Sequence, residues 1–170
     1  MKPDIRHPHA LATLAIAVLL TATAATKAGD PPAVAYPEAF RTWQQFRTIV
    51  IGPEHSSFAA RGGIHHYYAN DRAKEGFRTG TFPDGAVLVD EGVRTTDGDG
   101  ASKGILFEGE RRSLDVMVKN AGLYKDTGGW GFEHFDGDAK AGTLAASGRL
   151  TCFTCHAKAK RDHVFSSVRP

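Results

Sequence analysis

Near the end of the chain, Cys152-Phe153-Thr154-Cys155-His156 carries the strongest chemical signal in the 170 residues, and its two cysteines are the only ones present. Two thiols about one helical turn apart can add to the two vinyl groups of one porphyrin. The residue after the second then falls beneath the iron, so Cys-x-x-Cys-His is the spacing that fastens a c-type haem. On this reading Cys152 and Cys155 hold one covalently attached haem c. His156 is its proximal metal ligand, binding iron through one ring nitrogen while the other N–H donates to a carbonyl or carboxylate. Two other chemistries use Cys-x-x-Cys. A thioredoxin-like redox pair belongs beside a βαβ pattern, which this stretch lacks, and a zinc site needs a second ligand pair at similar spacing.

The elements that must position these residues do not follow the pattern of a small helical cytochrome c, whose haem motif comes early. A short helix is expected over residues 37–45, with Pro37 in its first turn. Strands are expected over 46–51, 64–69, 86–90, 104–108 and 130–135, where β-branched and aromatic residues cluster between turn signals. Asn70 or Asp71 can cap a short helix running to Phe77, and Pro83-Asp84-Gly85 makes a turn. Residues 110–124 place Leu114, Met117, Val118 and Ala121 at helical spacing and are expected to form a helix. Residues 97–103 read as an exposed loop. The sum is an α+β fold: a mostly antiparallel β-sheet with a few short helices and a C-terminal haem-binding segment, one sheet face being covered by helices and haem.

The first residues address the chain rather than build it. Lys2 and Arg6 precede an apolar run from Leu11 to Leu20 and then small residues, which is the pattern of a secretory signal peptide over residues 1–24, with cleavage after Ala28 as the alternative. The apolar run is shorter than the ~20 residues a membrane span needs, so no membrane span is expected and the product is exported, to the periplasm of a Gram-negative bacterium. Residues 25–35 read as a flexible lead-in, and 36–170 as one domain. The formal charge of +2 is too small to imply nucleic acid or a membrane surface as partner.

Several further segments form a pattern together. Gly63-Ile64-His65-His66-Tyr67-Tyr68-Ala69-Asn70, the run from Gly76 to Val87 containing Phe82-Pro83-Asp84-Gly85, Asp115-Val116-Met117-Val118-Lys119 and Thr127-Gly128-Gly129-Trp130-Gly131-Phe132, with the late haem motif, resemble the cytochrome P-460 family. The resemblance implies a mostly antiparallel mono-haem fold, usually a homodimer, of one of two types. Hydroxylamine-oxidising members carry a lysine cross-linked to the haem. Cytochrome c′-beta members lack it and bind nitric oxide or carbon monoxide at a crowded, apolar distal face. The cross-linking lysine is implied five residues beyond the turn glycine, here Gly85, and that position is Asp90. Lys74 and Lys103, the nearest lysines, read as surface residues.

The sixth iron position is then argued from the remaining side chains. Met117 reads as core. His163, seven residues after His156, falls on the same side as His156 if the segment is helical. His65 and His66 point to opposite sides of a strand, and one of them can line the distal pocket. His134 reads as a sheet or surface residue. Phe58, Phe82 and Phe132 are the aromatic candidates, with Asp90 at the haem edge. The expected function is a mono-haem cytochrome binding a small gaseous ligand, nitric oxide or carbon monoxide, at an open or weakly capped iron. The alternatives are an electron carrier, which needs a redox partner protein and a sixth ligand from a histidine or Met117, and a hydroxylamine-oxidising or peroxidase-like enzyme.

Overall fold

A computed structural model describes residues 31–168; the expected signal peptide lies outside them. Strands β1 (Gln44–Ile51), β2 (Gly63–Ala69), β3 (Val87–Asp97), β4 (Leu106–Lys119) and β5 (Trp130–Asp136) form one antiparallel sheet in sequential order. Three short helices accompany it: α1 (Phe58–Arg61), α2 (Asp71–Thr79) and α3 (Ala146–His156). This is the α+β architecture the sequence implies. No helix among the described residues is long and apolar enough to cross a membrane.

The pleat divides the strand residues between two cores. On one face a rung of Ala69, Leu88, Met117 and Phe132 runs in register across four strands. It packs with Phe46, Ala73, Phe82, Trp130 and Val164 beneath α2 and α3. The other face carries Tyr68, Val89, Leu114, Val116 and Phe135, covered by Val34 and Phe40. Each buried Val, Leu or Phe among them contributes about 1.5–3 kcal/mol, so the sheet is held from both sides.

Local chemistry fixes the connection that leads into β3. The Asn70 side-chain Oδ1 accepts from the backbone amides of Ala73 (2.9 Å) and Val87 (3.0 Å), which caps α2 and ties it to the next strand. Gly80 ends α2 in the left-handed conformation. Gly76 lets Phe82 lie directly on the helix; a Cβ there would come within 2.2 Å of the ring.

Three expectations need correction. Residues 110–124 are not a helix, because β4 runs unbroken from Leu106 to Lys119 between β3 and β5. Leu114 and Val116 enter one core while Met117 enters the other. A central strand buried on both faces loses the apolar alternation that identifies a strand, and its side chains can mimic helical spacing. Residues 37–45 contain only a single 3-10 turn, Phe40–Thr42, before β1 begins at Gln44. The described part of the lead-in is anchored rather than free: Val34 is buried, and the carbonyls of Pro31 and Pro32 accept from Arg149 and Tyr124.

Candidate functional site

Helix α3 docks against β5 and brings the Cys-x-x-Cys-His residues to the sheet. Cys152 and Cys155 sit one turn apart with free thiols, Cys152 half-buried against the core and Cys155 exposed. Burial, seconded by the negative charge of Asp115, pushes the Cys152 thiol up. A redox-active thiol needs the opposite shift, so Cys152 lacks the mark of a disulfide-exchanging nucleophile.

His156 closes the helix. Its Nδ1 donates to the His163 carbonyl oxygen at 2.9 Å, which leaves the Nε2 lone pair for a metal. The ring lies between Phe132 and Phe165, with both centroid distances 5.2 Å. Burial lowers its pKa, against the His163 carbonyl, which raises it. The imidazole is therefore neutral at neutral pH, the form that ligates iron. A neutral imidazole with one nitrogen spent, preceded by two free thiols one turn away, fits a c-type haem.

Beside the apolar rung on this sheet face runs a polar one, Tyr67, Asp90, Asp115 and His134, again in register across four strands. Two carboxylates directly opposite each other repel. Arg61, at the end of α1, compensates by spanning both, 2.6 Å from Asp90 Oδ2 and 3.6 Å from Asp115 Oδ2. The charged rung lies on the same sheet face as the apolar rung against which Cys152 and Phe153 pack.

The sequence model of the cytochrome P460 family matches residues 37–166. The chain belongs to the cytochrome P460 family. Membership implies a c-type haem protein. No curated protein matches the chain.

Within this cytochrome P460 fold the remaining sequence candidates separate. His65 is buried with both ring nitrogens engaged, Nδ1 at 2.8 Å from Asp90 and Nε2 at 2.7 Å from the Arg61 carbonyl. Burial opposes its charge, but the hydrogen bond and charge of Asp90 prevail and raise its pKa. His66 points to the opposite sheet face, where Nε2 meets Glu108 at 2.7 Å; it cannot line a pocket on the α3 side. Phe58 is exposed beside Gly62, and Phe82 is wedged between α2 and Trp130 with ring centroids 5.4 Å apart. Phe132 alone of the three phenylalanines touches His156. Asp90 is buried, committed to His65 and Arg61. His134 bonds Asp115 at 2.6 Å and Asp136 at 3.1 Å. Lys74 is exposed and paired with Asp71, and Lys103 is exposed.

The helical continuation considered for His163 does not occur. Helix α3 stops at His156, and the chain turns back so that the His163 carbonyl, not its ring, faces His156. The charged face found here also departs from the crowded apolar surface that the resemblance implies. Arg61 and Asp115 carry no sequence signal of their role, because only the β2–β3–β4 register brings them together.

Proposed function

We propose that this family member is an exported, periplasmic mono-haem c-type cytochrome. One haem is joined through Cys152 and Cys155, its iron is held by His156 Nε2, and a small diatomic such as nitric oxide binds at the open or weakly capped opposite position. The observation that carries this is the state of the imidazoles. His156 has its Nδ1 occupied and Nε2 free, whereas His65 and His134 have both nitrogens hydrogen-bonded and His66 lies on the other sheet face. Met117 packs in the core. These four therefore offer no ready sixth ligand, which disfavours the electron-carrier reading.

A bound haem would supply ligand binding and one-electron chemistry. The chain's own part is to keep His156 neutral, orient it through the His163 carbonyl and restrict its rotation between Phe132 and Phe165. The charges of the polar rung are paired among Arg61, Asp90, Asp115 and His134, so no unpaired charge from this rung competes for or repels a neutral ligand. One observation favours a second reading, a reaction on a protic substrate such as hydroxylamine: the half-exposed side chains of Arg61 and Asp115 offer a donor and an acceptor on the α3 side. Against it, Asp90 stands where the resemblance puts the cross-linking lysine, and a carboxylate cannot form that amine bond.

Titration of the ferrous protein with nitric oxide tests the choice. Uptake by a high-spin, five-coordinate iron is expected. A low-spin iron that resists carbon monoxide, and that His65→Ala or Met117→Ala converts to high-spin, would move the protein to the electron-carrier class.

A further inference from the structure

Two sequence motifs that contribute no haem-attaching residue, Phe82-Pro83-Asp84-Gly85 and Thr127-Gly128-Gly129-Trp130, converge on one residue, Asp162. Its Oδ2 accepts the Phe82 amide at 2.8 Å, and its Oδ1 accepts Lys119 Nζ at 2.8 Å. The Asp162 carbonyl accepts Trp130 Nε1–H at 2.9 Å, and Lys119 also donates to the Gly128 carbonyl at 3.0 Å. The Lys119 and Asp162 side chains are only 10% and 15% exposed. Gly128 has φ +63°, and a Cβ there would lie 2.5 Å from His163 Nε2; the glycine makes room for the His163 ring. Held in this way, Asp162 and His163 adopt φ of 43° and 64°, a region uncommon for non-glycine residues and entered most readily by Asn, Asp and His. That turn is what aims the His163 carbonyl at His156 Nδ1.

We propose that Asp162 is a positioning residue for His156, acting through the His163 carbonyl. Clamped by Lys119, Trp130 and the Phe82 amide, it fixes the acceptor that orients the imidazole and strengthens Nε2 as a donor to iron. An Nδ1–H donated to a well-placed carbonyl raises ligand basicity, which favours ferric over ferrous iron. The inference rests on His156 being the iron ligand, and it gives the two motifs a common purpose: both brace the loop behind that ligand. Because Lys119 neutralises Asp162, the device works by geometry.

The test uses the haem-loaded protein and three variants. The iron–histidine stretching band of the ferrous form and the reduction potential are read together, with thermal melting as a measure of plain structural damage. Asp162→Asn should shift the band to lower frequency and raise the potential. His163→Ala, which keeps the carbonyl, should leave the band in place even if it lowers the melting temperature. If Asp162→Asn does not fold, Lys119→Gln carries the same expectation. Asp162→Asn, or Lys119→Gln in its place, with band and potential unchanged overturns the proposal whatever its melting temperature, since Asp162 would then be structural only. A wild-type ferrous protein with attached haem but no iron–histidine band counts against the open-iron reading instead; the potential then decides, an unchanged value overturning the role of Asp162 and a raised one supporting it.

Discussion

Replacing His134 by glutamine should weaken the fold in acid and leave it unchanged in base. Its Nδ1 lies 2.6 Å from Asp115 and its Nε2 3.1 Å from Asp136. The hydrogen bond to Asp115 is the main cause that raises its pKa to about 9, against burial, with the charges of Asp115 and Asp136 adding to it. A rise from 6.5 to about 9 corresponds to about 3 kcal/mol of preference for the charged ring in the folded state before solvent screening. The side chain is 31% exposed and that of Asp136 72%, so solvent screening reduces this to about 1 kcal/mol. Because the folded value lies above the unfolded one, the stabilisation is complete below the unfolded pKa and is lost as pH rises through about 9. Urea unfolding of wild type and His134→Gln at about pH 6 and about pH 10 reads the effect. The variant should be less stable by about 1 kcal/mol at the lower pH, with the gap closing at the higher. Asp115→Asn should remove most of the pH-dependent gap between the two backgrounds. An equal gap at the two pH values would refute the reasoning.

Three other outcomes follow from particular contacts. Because Asp90 cannot form an amine cross-link, the wild-type protein should have an ordinary c-type ferrous spectrum and negligible hydroxylamine oxidation; a red-shifted Soret band with turnover of hydroxylamine would contradict the assigned subtype. Gly76→Ala forces a Cβ to 2.2 Å from the Phe82 ring and should cost about 1–3 kcal/mol of stability through overpacking, read as a lowered melting temperature. His66→Ala should leave the ferrous spectrum and nitric oxide uptake unchanged, because the ring sits across the sheet from α3; a spectral change would mean that the haem site reaches the other face.

The family was legible in the sequence, and the Cys-x-x-Cys-His spacing stands out because such a spacing is set by the porphyrin rather than by the fold. Strand β2, the Asn70 cap and the Pro83-Asp84-Gly85 turn were legible because their signals are local: β-branched and aromatic runs, a capping amide and turn residues. Strand β4 was not, since Leu114, Val116 and Met117 are all drawn into cores and no polar alternation survives. The partners of His65 could not be read either. Asp90 and Arg61 reach it through strand register and the α1 turn, and nothing in residues 61–66 announces that both ring nitrogens will be occupied. Asp162 is the furthest case. It bonds Phe82 across eighty residues, and in sequence it is one more charged residue in a short lysine- and arginine-rich tail.

The central claim is that Cys152, Cys155 and His156 hold one haem. Intact-mass measurement of the protein purified from a host that attaches haem c tests it most directly, alongside the double variant Cys152→Ala with Cys155→Ala. The account predicts the mass of the processed chain plus one haem, with colour that stays on the polypeptide after denaturation, and a colourless variant with the mass of the chain alone. Haem that leaves the wild-type protein in acid acetone, or a mass without haem, would contradict it.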